Sequence, residues 1–108
     1  MDFEYPVAEW FTGEYAVIPA HMQETIRRYV IDRQPPYPGG ITGNPPRLHY
    51  VDFLTSVICN DLRNAVGHAD ADNLPLIPLY VRWFYNRAPA GCHGSIAAFE
   101  AWVGLSGK

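Results

Sequence analysis

Cys92 and His93 stand side by side in this chain. A thiolate next to an imidazole is the pairing of a cysteine nucleophile with its base, or of two zinc ligands. Adjacent residues rarely bring both groups to one substrate atom, and the chain has neither a CxxC nor an HxxxH spacing to complete a site. The pair follows Ala88-Pro89-Ala90-Gly91, a stop, and precedes Ser95, a cap. Cys92 is therefore expected to pack and His93 to serve the turn. A zinc set drawn from Cys59, Cys92 and two of His21, His49, His68 and His93 is the competing chemistry; the reading adopted has no metal, no cofactor and no catalytic residue.

The carboxylates give a similar result. Asp61 with Asp70 and Asp72 has the residue types of an acid–base or metal cluster. Asp70 and Asp72 precede Leu74, however, where a short acceptor caps a helix. Asp61 falls within a helical pattern, and an ion pair with Arg28 or Arg82 is its expected role. Gly39-Gly40 and Gly43 form no phosphate loop, because GxxxxGK[ST] is absent and no strand precedes them. Arg27-Arg28 reads as a solvated helix face.

The elements that would position these groups follow from the apolar period. Pro19 opens a first helix on which Met22, Ile26, Tyr29 and Val30 share one face, ending before Pro35-Pro36. Glu24 and Arg28, at i, i+4, support it. A second helix is predicted from about Leu48 to Val66, with Val51, Leu54, Ile58, Leu62 and Ala65 inward and Gly67 as its stop. A third carries Leu74, Ile77, Val81 and Phe84 inward, starts late or bends at Pro78, and ends by Arg87. Ser95 caps a fourth, with Phe99, Trp102 and Val103 inward and Gly104 at its end. Between the first and second lies PPYPGGITGNPP, residues 35–46, with five prolines and three glycines in twelve positions, predicted to form neither helix nor strand. The expected fold is all-α: a small four-helix domain, body 19–103, with a long Pro/Gly-rich loop over 35–47.

Residues 1–18 read as an acidic, aromatic arm, irregular or short-helical, with a hairpin as the alternative. Four acids and five aromatics (Phe3, Tyr5, Trp10, Phe11, Tyr15) fall within its first fifteen residues. Fifteen aromatics in 108 residues crowd so small a core, so some are expected at an interface. Net charge is −3, and Lys108 is the only lysine, which argues against a generic nucleic-acid binder. No apolar run approaches the roughly 20 residues of a membrane helix, and the acidic N-terminus does not resemble a signal peptide. With two cysteines and no disulfide framework, an intracellular, cytoplasmic protein with reduced thiols is expected.

HMQETIRRYV (residues 21–30), FLTSVICNDLRNAVGHAD (53–70) and FYNRAPAGCHGSIAAFEAWV (84–103) together resemble a family of small proteins encoded by phages and prophages. Asn60-Asp61-Leu62 and Tyr85-Asn86 through Ala88-Pro89 are the most specific marks. The chain departs from that pattern by the intervening Tyr37–Asp52 segment and by Ile96, where a proline often follows the serine. The resemblance implies a phage setting and no particular activity. By analogy it suggests a non-enzymatic inhibitor or modulator of a host macromolecule, such as a host-defence inhibitor of the anti-CRISPR kind. On this reading Glu4, Glu9, Trp10, Phe11, Glu14 and Tyr15 of the arm contact a host protein with a basic surface; the alternative is that Trp10 and Phe11 fold back onto the helical core. Tyr37, Arg47, His49 and Tyr50 of the loop extend that contact. A small nucleic-acid-binding module using Arg27, Arg28, Arg33 and Arg47 is the alternative.

Overall fold

The computed structural model describes residues 9–49 and 51–105. Among them the chain is mostly helical, with five α-helices rather than four and one two-residue hairpin. Helix α1 runs Ala20–Asp32 after Pro19, and Ile26, Tyr29 and Val30 are buried as the period predicts. It stops where Arg33 turns left-handed (φ 57°) ahead of Pro35-Pro36. The ion pair on its surface is Arg27–Glu24 at 2.9 Å, one residue short of the expected Glu24–Arg28 spacing.

The predicted helix from Leu48 to Val66 is two helices. Asp52 begins α2, Phe53–Ile58, by accepting the Thr55 N–H at 3.2 Å. Asn60 then adopts φ 62°, and two bonds close the end: Asn60 N–H to Val57 C=O at 3.1 Å and Asp61 N–H to Ser56 C=O at 2.8 Å. That is a Schellman closure with asparagine in the left-handed position, which asparagine tolerates better than most residues. Asp61 at once caps α3, Leu62–His68, taking the Asn64 N–H at 3.2 Å and the Asn64 side-chain amide at 2.7 Å. Asp61 is thus a cap and not the partner of Arg28 or Arg82. The break shifts the helical phase: Leu54, Ile58 and Ala65 are buried, but Leu62 is 66% exposed. Gly67 lies within α3, which ends when the chain leaves in an extended conformation at Ala69, a geometry that needs no glycine.

Asp70 accepts the Asn73 N–H at 2.8 Å, and a 3-10 turn, Leu74–Leu76, leads into α4, Ile77–Arg87, whose first turn accommodates Pro78. Ile77, Tyr80, Trp83 and Phe84 are its buried residues. Leu74 and Val81, placed inward by the period that included Leu74, are 46% and 50% exposed because the helix proper starts only at Ile77. The last helix, α5, spans Ile96–Val103, capped by the Ser95 hydroxyl at 3.0 Å from the Ala98 N–H and closed at Gly104 (φ 85°).

The Pro/Gly segment carries a short ladder. Strands β1, Ile41–Thr42, and β2, Arg47–Leu48, pair antiparallel with Ile41 opposite Leu48. The prolines flank the ladder or sit in its turn, so none removes a pairing N–H, and the His49 N–H adds a bond to Gly40 C=O at 2.7 Å.

One apolar cluster joins these elements. Phe53 meets Tyr80 edge-on at 5.2 Å, and Tyr29 stacks on Phe99 at 5.8 Å. Buried hydroxyls find acceptors: Tyr29 donates to Cys92 C=O at 2.7 Å and Tyr80 to Asn73 Oδ1 at 2.6 Å. The Arg33 guanidinium lies 3.9 Å from the Trp102 ring centre, and Trp102 Nε1 donates to Tyr29 C=O at 3.0 Å, fastening α5 to the end of α1. No helix among the described residues is long and apolar enough to cross a membrane.

Candidate interaction surface

Much of the arm that was expected to reach outward is docked on α4. Trp10 and Tyr15 are buried, Trp10 completely, and so cannot serve as exposed contact residues. Trp10 packs edge-on to Trp83 at 5.3 Å, and the half-buried Phe11 stacks on the same indole at 5.3 Å and 5°. Polar bonds run alongside. Trp83 Nε1 donates to Trp10 C=O at 2.7 Å, Asn86 to the Tyr15 hydroxyl at 3.0 Å, and Arg87 to Glu9 C=O. Glu14 is held by Arg82 at 2.9 Å, which removes it as a free acid for steering a partner. A 3-10 turn, Gly13–Val17, shapes the segment, favouring the short-helical reading over a hairpin. Glu9 is exposed; Glu4 lies outside the described residues. Sequence reasoning left this docking open as an alternative, because the same aromatics that suit an interface also suit a core, and composition does not separate the two.

The residues with chemical potential are held in structural roles. Cys92 is fully buried and Cys59 nearly so, both as free thiols. Burial pushes each thiol up to about 12, with the carboxylates of Asp61, Glu100 and Asp52 adding to the effect at Cys59. Neither forms a thiolate readily near neutrality. His93 is half-buried against Phe84 at 5.6 Å, and burial lowers its pKa. Bonds from the Asn64 side chain and backbone lower that of Asp61. Among the described residues no group of three His, Cys, Asp or Glu side chains is placed to hold a metal ion.

The loop residues fare differently. Tyr37 is 48% exposed, and Arg47 and His49 are exposed beside one another on the hairpin. Arg47 and His49, with Pro45, Pro46, Leu48, Glu100 and Leu105, line an open cleft of about 410 Å³ between the hairpin and the end of α5; Tyr37 is not among its lining residues. Tyr50 lies outside the described residues.

The largest departure from expectation is an apolar face on α3 and α4. Leu62 and Val81 border one shallow cleft of about 40 Å³, together with Val57, Ala65 and Ile77. One turn along α3 comes Val66, 47% exposed; one turn along α4 comes Tyr85, 80% exposed. Residues four apart on a helix share a face, so Val66 and Tyr85 carry the exposed apolar side of each helix one turn beyond the residues that line the cleft. Asn60 and Asp61 edge the cleft with polar atoms. Scattered exposed apolar residues are ordinary, whereas several gathered around one groove with a polar rim have the anatomy of a contact surface. The readable signal was Asn60-Asp61: asparagine followed by a capping aspartate, with Asn64 three residues on, marks a helix boundary and turns Leu62 outward.

No family model, curated protein or solved structure matches the chain.

Proposed function

We propose that this chain is a phage-type binding protein that works without covalent chemistry, occupying a surface of a host protein and thereby inhibiting or modulating it. The observation that carries this reading is the exposed apolar face of α3 and α4, where Leu62 and Val81 open onto one cleft and Val66 and Tyr85 are exposed one turn further along the same helices. The sealed thiols, Asp61 as the cap of α3 and Asp70 as acceptor of the Asn73 N–H in the turn before α4, where it caps no helix, support a non-enzymatic protein. The phage setting rests on the sequence resemblance. A complementary partner presents an apolar ridge, with a basic group able to reach Asp61 at the rim; a tyrosine at the edge of such a patch suits a contact that is apolar at its centre and wet at its border. Host-defence inhibition of the anti-CRISPR kind is the particular form the analogy suggests. The nucleic-acid alternative has less support: Arg27 is paired with Glu24 and Arg33 covers Trp102, which leaves Arg28 and Arg47 of its four arginines exposed without such a partner among the described residues.

The test is quantitative capture from host lysate by tagged wild-type protein and by the double variant Leu62→Glu, Val81→Glu. Leu62 opens α3, where an acid is favoured, and Glu outranks Val in helix propensity, so the double variant should fold normally. The expected result is a protein partner held by the wild type and by Ile31→Glu, an exposed control on α1, but lost by the double variant. Equal recovery by the double variant would remove the α3/α4 face from the account.

A further inference from the structure

The cleft between the hairpin and α5 brings together two opposite charges that do not meet. Arg47 enters it from β2 and Glu100 from α5. Among the described residues the ion pairs within 4.0 Å are Arg27–Glu24 and Arg82–Glu14, so Arg47 and Glu100 face one space without forming a direct pair. The backbone that carries each is held from behind. The β1–β2 ladder and the bond from the His49 N–H to Gly40 C=O at 2.7 Å hold the Arg47 side of the cleft. On the other side the Leu105 N–H returns to Glu100 C=O at 2.6 Å past Gly104 in the left-handed region (φ 85°), which sets Leu105 into the wall. The imidazole of His49 stands over the turn, its Nε2 3.8 Å from where a Cβ on Gly43 would lie.

We infer that this cleft binds a small zwitterion of about dipeptide size, its carboxylate on Arg47 and its ammonium on Glu100, with an apolar side chain against Pro46, Leu48 and Leu105. The charge pattern selects the class. A simple anion is attracted by Arg47 and repelled by Glu100, and a simple cation meets the reverse. A molecule carrying both signs satisfies both groups and recovers the Coulomb energy that the separated pair leaves unused. Guanidinium matches carboxylate in a two-pronged bond, and the half-buried position of Glu100 strengthens its hold on an ammonium. A cleft of about 410 Å³ is more than a single small ion needs and falls in the range of small-molecule sites. This site shares no residue with the α3/α4 face, so it stands or falls independently of the proposed host contact.

The experiment is titration of the ¹⁵N-labelled protein with the dipeptide Ala-Leu, its N-acetylated form and its C-terminal amide, followed by amide shift mapping. Ala-Leu should bind saturably, with shifts centred on residues 43–49 and 100–105. Each blocked form should bind about tenfold more weakly, the scale of losing one charge-assisted bond. Arg47→Gln and Glu100→Gln should each weaken Ala-Leu by a similar factor while leaving the melting temperature within about 2 °C, since both are surface substitutions. Absence of saturable shifts at tens of millimolar, equal binding of the blocked dipeptides, or shifts centred away from the cleft would each overturn the assignment.

Discussion

Replacing Trp10 by alanine asks whether the arm belongs to the core. The indole is fully buried, packed edge-on against Trp83 at 5.3 Å and against Phe11 at 6.4 Å. The bond from Trp83 Nε1 ends on the backbone carbonyl of residue 10, so the substitution leaves that acceptor in place and removes mainly packing. Deleting a buried aromatic down to alanine costs about 3–5 kcal/mol, set by how far the surroundings collapse into the space. A domain of this size has about 5–15 kcal/mol in total, so Trp10→Ala should consume a large part of it. At about 4 °C per kcal/mol for a chain near 100 residues, the melting temperature should fall by about 12–20 °C. Thermal unfolding followed by far-ultraviolet circular dichroism measures this directly. Glu9→Gln, exposed on the same segment, is the control and should shift the midpoint by no more than about 2 °C. A fall below about 4 °C for Trp10→Ala would mean that the arm is not docked on α4, and its aromatics would again be free to meet a partner.

Three further outcomes follow from the same packing. Cys59 and Cys92, with thiols pushed up to about 12, should react with a disulfide reagent at pH 8 far more slowly in the folded protein than in denaturant; fast reaction of either would reopen thiol chemistry. Asp52→Ala removes the cap of α2 and should cost about 1 kcal/mol by chemical denaturation, whereas Asp52→Asn should nearly preserve stability. Burial lowers the folded-state pKa of His93 below its usual 6.5, so in that window the unfolded chain binds more protons. Stability should therefore decline as pH falls through 6.5 towards the folded-state value, and the decline should shrink in His93→Gln.

Elements with a single local cause were readable in the sequence. Pro19 and Pro35 bracket α1, Ser95 and Gly104 bracket α5, and Ile26, Tyr29, Val30 and Phe99, assigned inward by the period, are buried. The failures arise where one residue changes the phase. A left-handed asparagine at position 60 divides a pattern that is continuous in hydropathy, and every inward assignment beyond it depends on the angle of the break. Leu62 shows this most clearly: it fits the period of the preceding helix but belongs to the next one. Val81 fails for a related reason, because Leu74 lies in the 3-10 turn and cannot set the register of α4. In the loop, proline content masked a two-residue ladder too short to leave an alternating pattern. The candidate surface was hidden for the same reason as Leu62, while Arg47 and His49 were identified as residues without their joint cleft with Glu100, since pairing a hairpin with a distant helix is tertiary information.

The central claim is that the apolar face of α3 and α4 is the contact surface. Hydrogen–deuterium exchange of the protein, free and saturated with the captured partner, tests it most directly. Slowed exchange should concentrate in residues 62–68 and 77–87, with the hairpin at 41–48 unchanged. Protection confined to the hairpin or to residues 9–18, with α3 and α4 exchanging as in the free protein, would contradict it.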